Sequence, residues 1–286
     1  MKVCFYANGH IGDLLITLPF IDLLIKKYPE NEYYQFNQGA STNFDDSLIS
    51  CIDNLKISNE LCGDVNIPTH MCDRQYSQWI VPPDYPLIDH FSIMKFFWEK
   101  IYKLYEFDIE IPDNLGVNYN YNIDNKKRIE SSINLNRKKV LIFNQKVRSS
   151  QTDNIDWKSY IVQICNMFPD VDFFYTNYED INLDFILDKN LFYTPEIYNK
   201  IGCDILENAY LSTLCDVLVG RCNGPYMYAA MHDKNIENKN MTIISQIHNN
   251  VHMDDLEIFY NRNKTKSNCF HSKSSKQTFE ILEKIL

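Results

Sequence analysis

Val3-Cys-Phe-Tyr-Ala-Asn-Gly-His-Ile-Gly-Asp-Leu-Leu-Ile-Thr-Leu-Pro-Phe20 is the stretch whose reading decides the fold. Residues 3–7 form a short apolar run of the kind a buried strand shows, and Gly9 and Gly12 supply a tight turn in which backbone comes close to a ligand. Asp13 then falls in the first turn of an apolar helix predicted to run to about Tyr28. A carboxylate is favoured there by the helix dipole, so Asp13 is either a helix-end charge or a reactive group. A strand, turn and helix in this order open an α/β sheet whose ligands bind beyond the strand ends. The spacing is not the dinucleotide G-x-G-x-x-G, and no phosphate-loop lysine follows it.

Working outward, 286 residues suffice for two modest domains, each with its own core. A net charge of -10, from 38 acidic and 28 basic residues, argues against a general nucleic-acid or anionic-membrane surface. Nine cysteines without a C-x-x-C pair read as reduced thiols of a cytoplasmic protein, so no structural metal or disulfide framework is expected. Residues 11–25 are apolar, but Asp13, Pro19 and Asp22 interrupt them. A buried amphipathic helix is expected there and no transmembrane segment.

Further along, Glu32–Asn37 reads as a strand, 41–57 as a loop and helix, and 58–90, with Pro68, Pro82, Pro83 and Pro86, as an irregular excursion suited to acceptor contacts. A helix is predicted over 88–104, burying Ile93, Phe96, Phe97, Ile101 and Leu104. Alternating Phe107, Ile109 and Ile111 are expected to close the first sheet. The Asn-, Lys- and Arg-rich stretch that follows marks an interdomain linker. The expected division is 1–125, a linker at 126–138, a second domain at 139–274 and a terminal helix at 275–286.

The second half repeats the pattern. Strands are predicted at 139–143, 171–176, 191–193, 216–220 and 241–246, with helices from Trp157 to about Phe168 and over 275–286. Asp204 and Glu207 read as a capping box. Two stretches stand out: Asn144-Gln-Lys-Val-Arg-Ser-Ser150, after one strand, and Gly220-Arg-Cys-Asn-Gly-Pro225, after another. Lys146, Arg148 and Ser149 offer charge and hydroxyl to a diphosphate, and a helix starting at Asn223-Gly224-Pro225 offers N–H donors.

Taken together, Gly9, Gly12, Asp13, Leu18-Pro19 and Tyr28-Pro29, the basic loop at 146–150, Trp157 and the 220–225 turn resemble the family 9 heptosyltransferases. The resemblance implies an α/β architecture of GT-B type, with two Rossmann-type doubly wound domains facing a central cleft, the second binding a nucleotide sugar. It implies a metal-independent, inverting glycosyltransferase that needs no cofactor and moves a sugar to a glycan or glycolipid hydroxyl. Asp13 would take the proton from the attacking hydroxyl, with His10 a second candidate base or an orienting turn residue. Gly9, Gly12, Lys146, Arg148, Ser149, Arg221, Cys222, Asn223, Gly224 and Pro225 would contact substrate. Tyr178 and Tyr226 would stack on the base or touch the ribose, unless they simply pack beneath a loop.

Two positions depart from the family pattern. Cys222 stands where Asp is common and Met227 where His is usual, so the identity of the donor does not carry over. Cys222 itself reads as a small buried residue or as a thiol nucleophile approached by His232. The pairs Asp45-Asp46 and Asp254-Asp255 are solvated turns or helix ends, or else metal-binding carboxylates. The alternatives to a transferase are a nucleotide-sugar epimerase or hydrolase of the same architecture, and a degenerate, non-catalytic binding protein.

Overall fold

In the computed structural model the residues described are 1–7, 14–15, 17–37, 48–49, 52–69, 90–112, 115, 123–145, 155–177, 182–199, 204–221, 224–230, 232, 234–235, 238, 240–246 and 268–286. The chain divides into two compact units, Met1–Asn120 and Tyr121–Leu286.

In the first unit, Lys2–Ala7 (β1) is the inner strand of a four-stranded parallel sheet. Glu32–Asn37 (β2) and Leu55–Ser58 (β3) lie on one side and Val65–Pro68 (β4) on the other. Expectation and structure part here, because β3 and β4 fall in stretches read as helix and irregular chain. Lys56 and Asn66 break the apolar runs, and only pairing with β2 and β1 recruits these four-residue segments as edge strands. Gly63 shows how tightly the chain enters β4. A Cβ there would lie 2.3 Å from the Val65 carbonyl oxygen and 2.7 Å from the Cys4 nitrogen.

One face of this sheet carries Val3, Phe5 and Tyr33 against helix Leu18–Lys27 (α1) and helix His90–Leu104 (α2). Regular α1 starts at Leu18 with Pro19 in its first turn, where a missing N–H costs nothing. The Thr17 hydroxyl donates to the Leu14 carbonyl at 2.6 Å. On α2 the buried stripe is Met94, Phe97, Trp98, Ile101 and Tyr102, while the expected Leu104 is 49% exposed. Trp98 sets that rotation, because its ring stacks on Phe20 at 5.6 Å and lies 6.2 Å from Phe5. The 107–112 stretch adds no strand. Its backbone donors turn elsewhere, Phe107 N–H to the Tyr102 carbonyl and Asp108 N–H to the Tyr28 hydroxyl.

The second unit holds a six-stranded parallel sheet. At its middle are Lys138–Phe143 (β5) and Val217–Arg221 (β8). Beyond β5 come Val171–Tyr175 (β6) and Leu191–Tyr193 (β7). Beyond β8 come Thr242–Gln246 (β9) and Asn268–Ser272 (β10), the last not anticipated from sequence. Helix Trp157–Met167 (α4) is capped by Asp156, which accepts from Ser159 N–H at 3.2 Å. The terminal helix Ser275–Ile285 (α8) is capped by Ser274 and packs Phe279 between Trp157 and Tyr160, at 5.2 and 4.3 Å. It therefore belongs to the core of this unit.

The 126–138 stretch, read as a linker, is helical to its middle. Ile123–Ser132 (α3) meets Thr194–Tyr198 (α5) and Ile205–Ser212 (α6). Arg128 donates to the Ile197 carbonyl at 3.0 Å, and the Tyr210 hydroxyl donates to Glu130. Asn125 donates to Glu207 at 2.9 Å, so the expected capping box is replaced. Asp204 holds the N-cap position of α6 without a side-chain capping bond. A polar helix with few apolar residues reads as linker by composition. It folds here because its long side chains reach hydrogen-bond partners on two neighbouring helices.

Candidate functional site

Both sheets reverse their strand order once. In the first unit the chain steps from β1 to β2 to β3, then returns to place β4 on the free side of β1. In the second it steps from β5 to β6 to β7, then returns to place β8 against β5. At such a reversal the connections leave in opposite directions and open a crevice beyond the strand ends, where open α/β sheets take their ligands.

In sequence, the Gly9-x-x-Gly12-Asp13 stretch begins two residues after Ala7, the last residue of β1. Thr69, just past β4, latches the two exits together. Its N–H donates to the Tyr6 carbonyl at 3.0 Å and its hydroxyl to the same oxygen at 3.2 Å. Gly9, His10, Gly12 and Asp13 lie outside the described residues.

The second reversal carries both stretches singled out in the second half. Phe143 and Gly220 are register partners, so the 144–150 and 221–225 segments leave adjacent strand ends. Gly220 permits that approach. A Cβ on it would sit 2.8 Å from the Phe143 Cβ and 3.2 Å from the Tyr226 ring. Helix Gly224–Ala230 (α7) follows, with Pro225 in its first turn. Arg221, 3% exposed, closes β8 beside Gln246, 1% exposed. Lys146, Arg148, Ser149, Tyr178, Cys222 and Asn223 lie outside the described residues, as do Asp45-Asp46 and Asp254-Asp255.

Of the two readings of Tyr226, a ligand contact or a packed side chain, the structure supports the second. Tyr226 is fully buried, its ring meets Phe143 at 5.4 Å, and its hydroxyl donates to the Ile244 carbonyl at 3.0 Å and pairs with the Ser245 hydroxyl at 2.8 Å. It ties the ends of β5, β8 and β9 together instead of offering a face to a base. A tyrosine two positions past a glycine turn reads equally well as a ligand contact in sequence. Only the burial separates the two.

Asn144 was missed. Its side-chain amide donates to the Asn177 carbonyl at 2.6 Å and accepts from the Asn177 N–H at 2.8 Å. The only hint in the sequence is a polar residue ending an apolar strand, and its partner lies 33 positions away.

The two ends of the second sheet differ in charge. At the starts of its strands Arg137 pairs with Asp172 at 2.9 Å and Lys139 with Asp216 at 3.9 Å, so cations and carboxylates there neutralise one another. Burial still holds the Asp172 carboxyl above the ordinary carboxylate range, against the pull of Arg137 and Lys139. At the strand ends the buried polar residues are Asn144, Thr176, Arg221, Ser245, Gln246 and Ser272.

His232, considered above as a partner for Cys222, is 2% exposed, and its Nδ1 accepts from the Lys234 N–H at 3.1 Å. Burial pushes its pKa down to about 3, so it is neutral near pH 7 and binds a proton poorly as a general base. Among the described thiols, burial pushes Cys4 up to about 11 and Cys165 up to about 12, so neither is a ready nucleophile. Among the described residues no helix is long and apolar enough to cross a membrane.

No protein-family model matches the sequence. No curated protein matches it either. Solved structures do. The E. coli heptosyltransferase WaaC with ADP-2-deoxy-2-fluoro heptose superposes with a TM-score of 0.59 at 7% identity, covering 100% of both chains. A glycosyl transferase of family 9 from Veillonella parvula gives 0.54 at 12% identity, over 100% of this chain and 90% of that one. The E. coli ADP-heptose lps heptosyltransferase II gives 0.54 at 10%, over 100% and 98%. With two parallel α/β sheets of four and six strands, the chain is thus similar over its whole length to the family 9 heptosyltransferases and has their GT-B fold.

Proposed function

We propose that this protein is a glycosyltransferase that moves a sugar from a nucleotide-sugar donor to a hydroxyl of a glycan or glycolipid, without a metal and with inversion at the anomeric carbon. The observation that carries the reading is the strand reversal between β5 and β8. There the register pair Phe143 and Gly220 sends a Lys- and Arg-bearing segment and a Gly-Pro turn out from neighbouring strand ends. A nucleoside diphosphate needs N–H donors and one or two cations, and those two segments carry both. One of the similar structures holds an ADP-sugar analogue, which supports the donor class.

Lys146 and Arg148 stabilise the charge that builds on the departing diphosphate, with Ser149, Arg221, Cys222, Asn223, Gly224 and Pro225 completing the donor contacts. Asp13, after the first strand, takes the proton from the acceptor hydroxyl as it attacks in line, and His10 orients Asp13 or shares that role. Gly9 and Gly12 let the backbone approach the sugar. Nine cysteines without a C-x-x-C pair support a cytoplasmic place of work.

The test begins with thermal shift against nucleoside diphosphates and their sugar conjugates. A true donor at a hundred times its dissociation constant adds about 2.7 kcal/mol, a rise of roughly 5–10 °C for a unit of this size. Asp13→Asn should then keep that shift and lose nearly all transfer. Full turnover by Asp13→Asn removes Asp13 from the mechanism. A donor consumed without acceptor points to an epimerase or hydrolase. The substitutions at Cys222 and Met227 favour a degenerate binder as the second reading, and a protein stabilised by donor but inert with every acceptor would establish it.

A further inference from the structure

From the paired hydrogen bonds between the Asn144 side chain and the Asn177 backbone, we infer that Asn144 is a positioning residue that fixes where the chain leaves β5 and where it leaves β6. In sequence the first exit precedes the basic segment at 146–150 and the second precedes Tyr178. The inference rests on the donor reading above, but its first test does not.

The last regular contact between β5 and β6 is the Thr176 N–H donating to the Ile142 carbonyl at 3.1 Å. Beyond it the two backbones have no further strand register. The primary amide of Asn144 continues the ladder by one rung. It meets the Asn177 carbonyl at 2.6 Å and the Asn177 N–H at 2.8 Å, as the next peptide of a strand would. The Thr176 hydroxyl adds a longer bond to the Asn144 side-chain oxygen at 3.4 Å. Asn144 is 5% exposed and Thr176 3%, so the Asn144 end of the rung is buried, while its Asn177 end is part-buried. An amide satisfies one donor and one acceptor with a single planar group; no apolar or acidic side chain of similar size does both.

The consequence is geometric. Lys146 is two residues beyond one end of the rung and Tyr178 is the residue after the other. Losing the rung frees the chain at both Asn144 and Asn177, and through Asn144 it reaches the segment that the donor reading assigns to the diphosphate. In the Asn144→Ala variant the Asn177 amide, read in peptides spanning 176–182, should exchange about tenfold faster, the effect of losing its hydrogen-bond acceptor. Unchanged exchange there overturns the inference, whatever the protein binds.

Asn190→Ala is the control. Asn190 is also a buried amide of the second unit, but it lies just before β7 and donates to the carbonyls of Cys165, Phe168 and Val171, at the opposite end of β6 from Asn177. Its loss should lower the melting temperature and leave exchange in 176–182 at the wild-type rate. A matching acceleration in Asn190→Ala would show only a general loosening and overturn the inference. With the best nucleoside diphosphate from the thermal-shift panel, Asn144→Ala should bind about tenfold more weakly and Asn190→Ala as the wild type does. Equal affinities in Asn144→Ala and wild type overturn the positioning role. If the wild type binds no nucleotide, the donor reading fails and the exchange result alone decides on Asn144.

Discussion

Acidification offers a test with a worked magnitude, because His232 is held neutral in the folded chain. Burial lowers its pKa from 6.5 to about 3, and Lys234 adds a smaller push in the same direction. Below pH 6.5 the unfolded chain therefore binds a proton that the folded chain refuses. Stability falls as pH drops through 6.5, and the loss from this group levels off near pH 3. Each pH unit in that window costs about 1.4 kcal/mol, so going from pH 7 to pH 5 costs about 2 kcal/mol and lowers the melting temperature by roughly 4–8 °C. Carboxylates titrate lower and add their own slopes, so the reading is a difference between wild type and His232→Asn. That variant places an oxygen where Nδ1 accepts from the Lys234 N–H. It should be less stable at pH 7, from lost volume, and should lose about 2 kcal/mol less than wild type on acidification to pH 5. Urea unfolding of both proteins across this range measures it. Parallel slopes would refute the buried, neutral histidine.

Other outcomes follow from the same packing. Gly220→Ala forces a methyl to 2.8 Å from the Phe143 Cβ, with Phe143 and Tyr226 both buried, and should destabilise by about 1–3 kcal/mol in denaturant unfolding. A neutral effect would mean that the two central strands have room to separate. Trp98→Ala empties the space between Phe5, Phe20 and Tyr102 and should cost about 3–5 kcal/mol in the first unit, read by calorimetry. Lys146→Ala and Arg148→Ala should each weaken donor binding while leaving the melting temperature of the free protein within about a degree. Unchanged donor affinity in both would remove the phosphate role.

Much of the fold was legible because its strongest signals are local. Val140, Leu141, Ile142 and Phe143 are uniformly apolar and uniformly buried, as a strand covered on both faces must be. Helix 157–167 was placed from Trp157 at its start, with its Asp156 cap seen only in the fold, and helix 275–285 from its spacing of Phe279 and Leu282. The failures are equally physical. Four residues at 55–58 and four at 65–68 hold too little pattern to declare a strand, and they became strands because β2 and β1 offered unpaired edges. The 123–132 helix carries too few apolar residues to be seen, yet finds partners in Ile197, Glu207 and Tyr210.

At the site the same division holds. The Gly-x-x-Gly-Asp turn, the basic segment and the Gly-Pro turn are visible in one dimension, because each is a short run of unusual residues after an apolar strand. Their chemistry was named from that alone. Neighbourhood was not, since residues 143 and 220 become adjacent only when β8 returns to pair with β5 after two strands and their helices have gone the other way. Nor does the chain order distinguish Tyr226, which holds three strand ends from beneath, from a tyrosine that faces a ligand. By itself the sequence determined the elements and the residue types available for chemistry, because those depend on local periodicity and turn propensity. Strand order, and with it which polar groups share a rim and which are sealed below it, was decided by long-range pairing that only the folded chain contains.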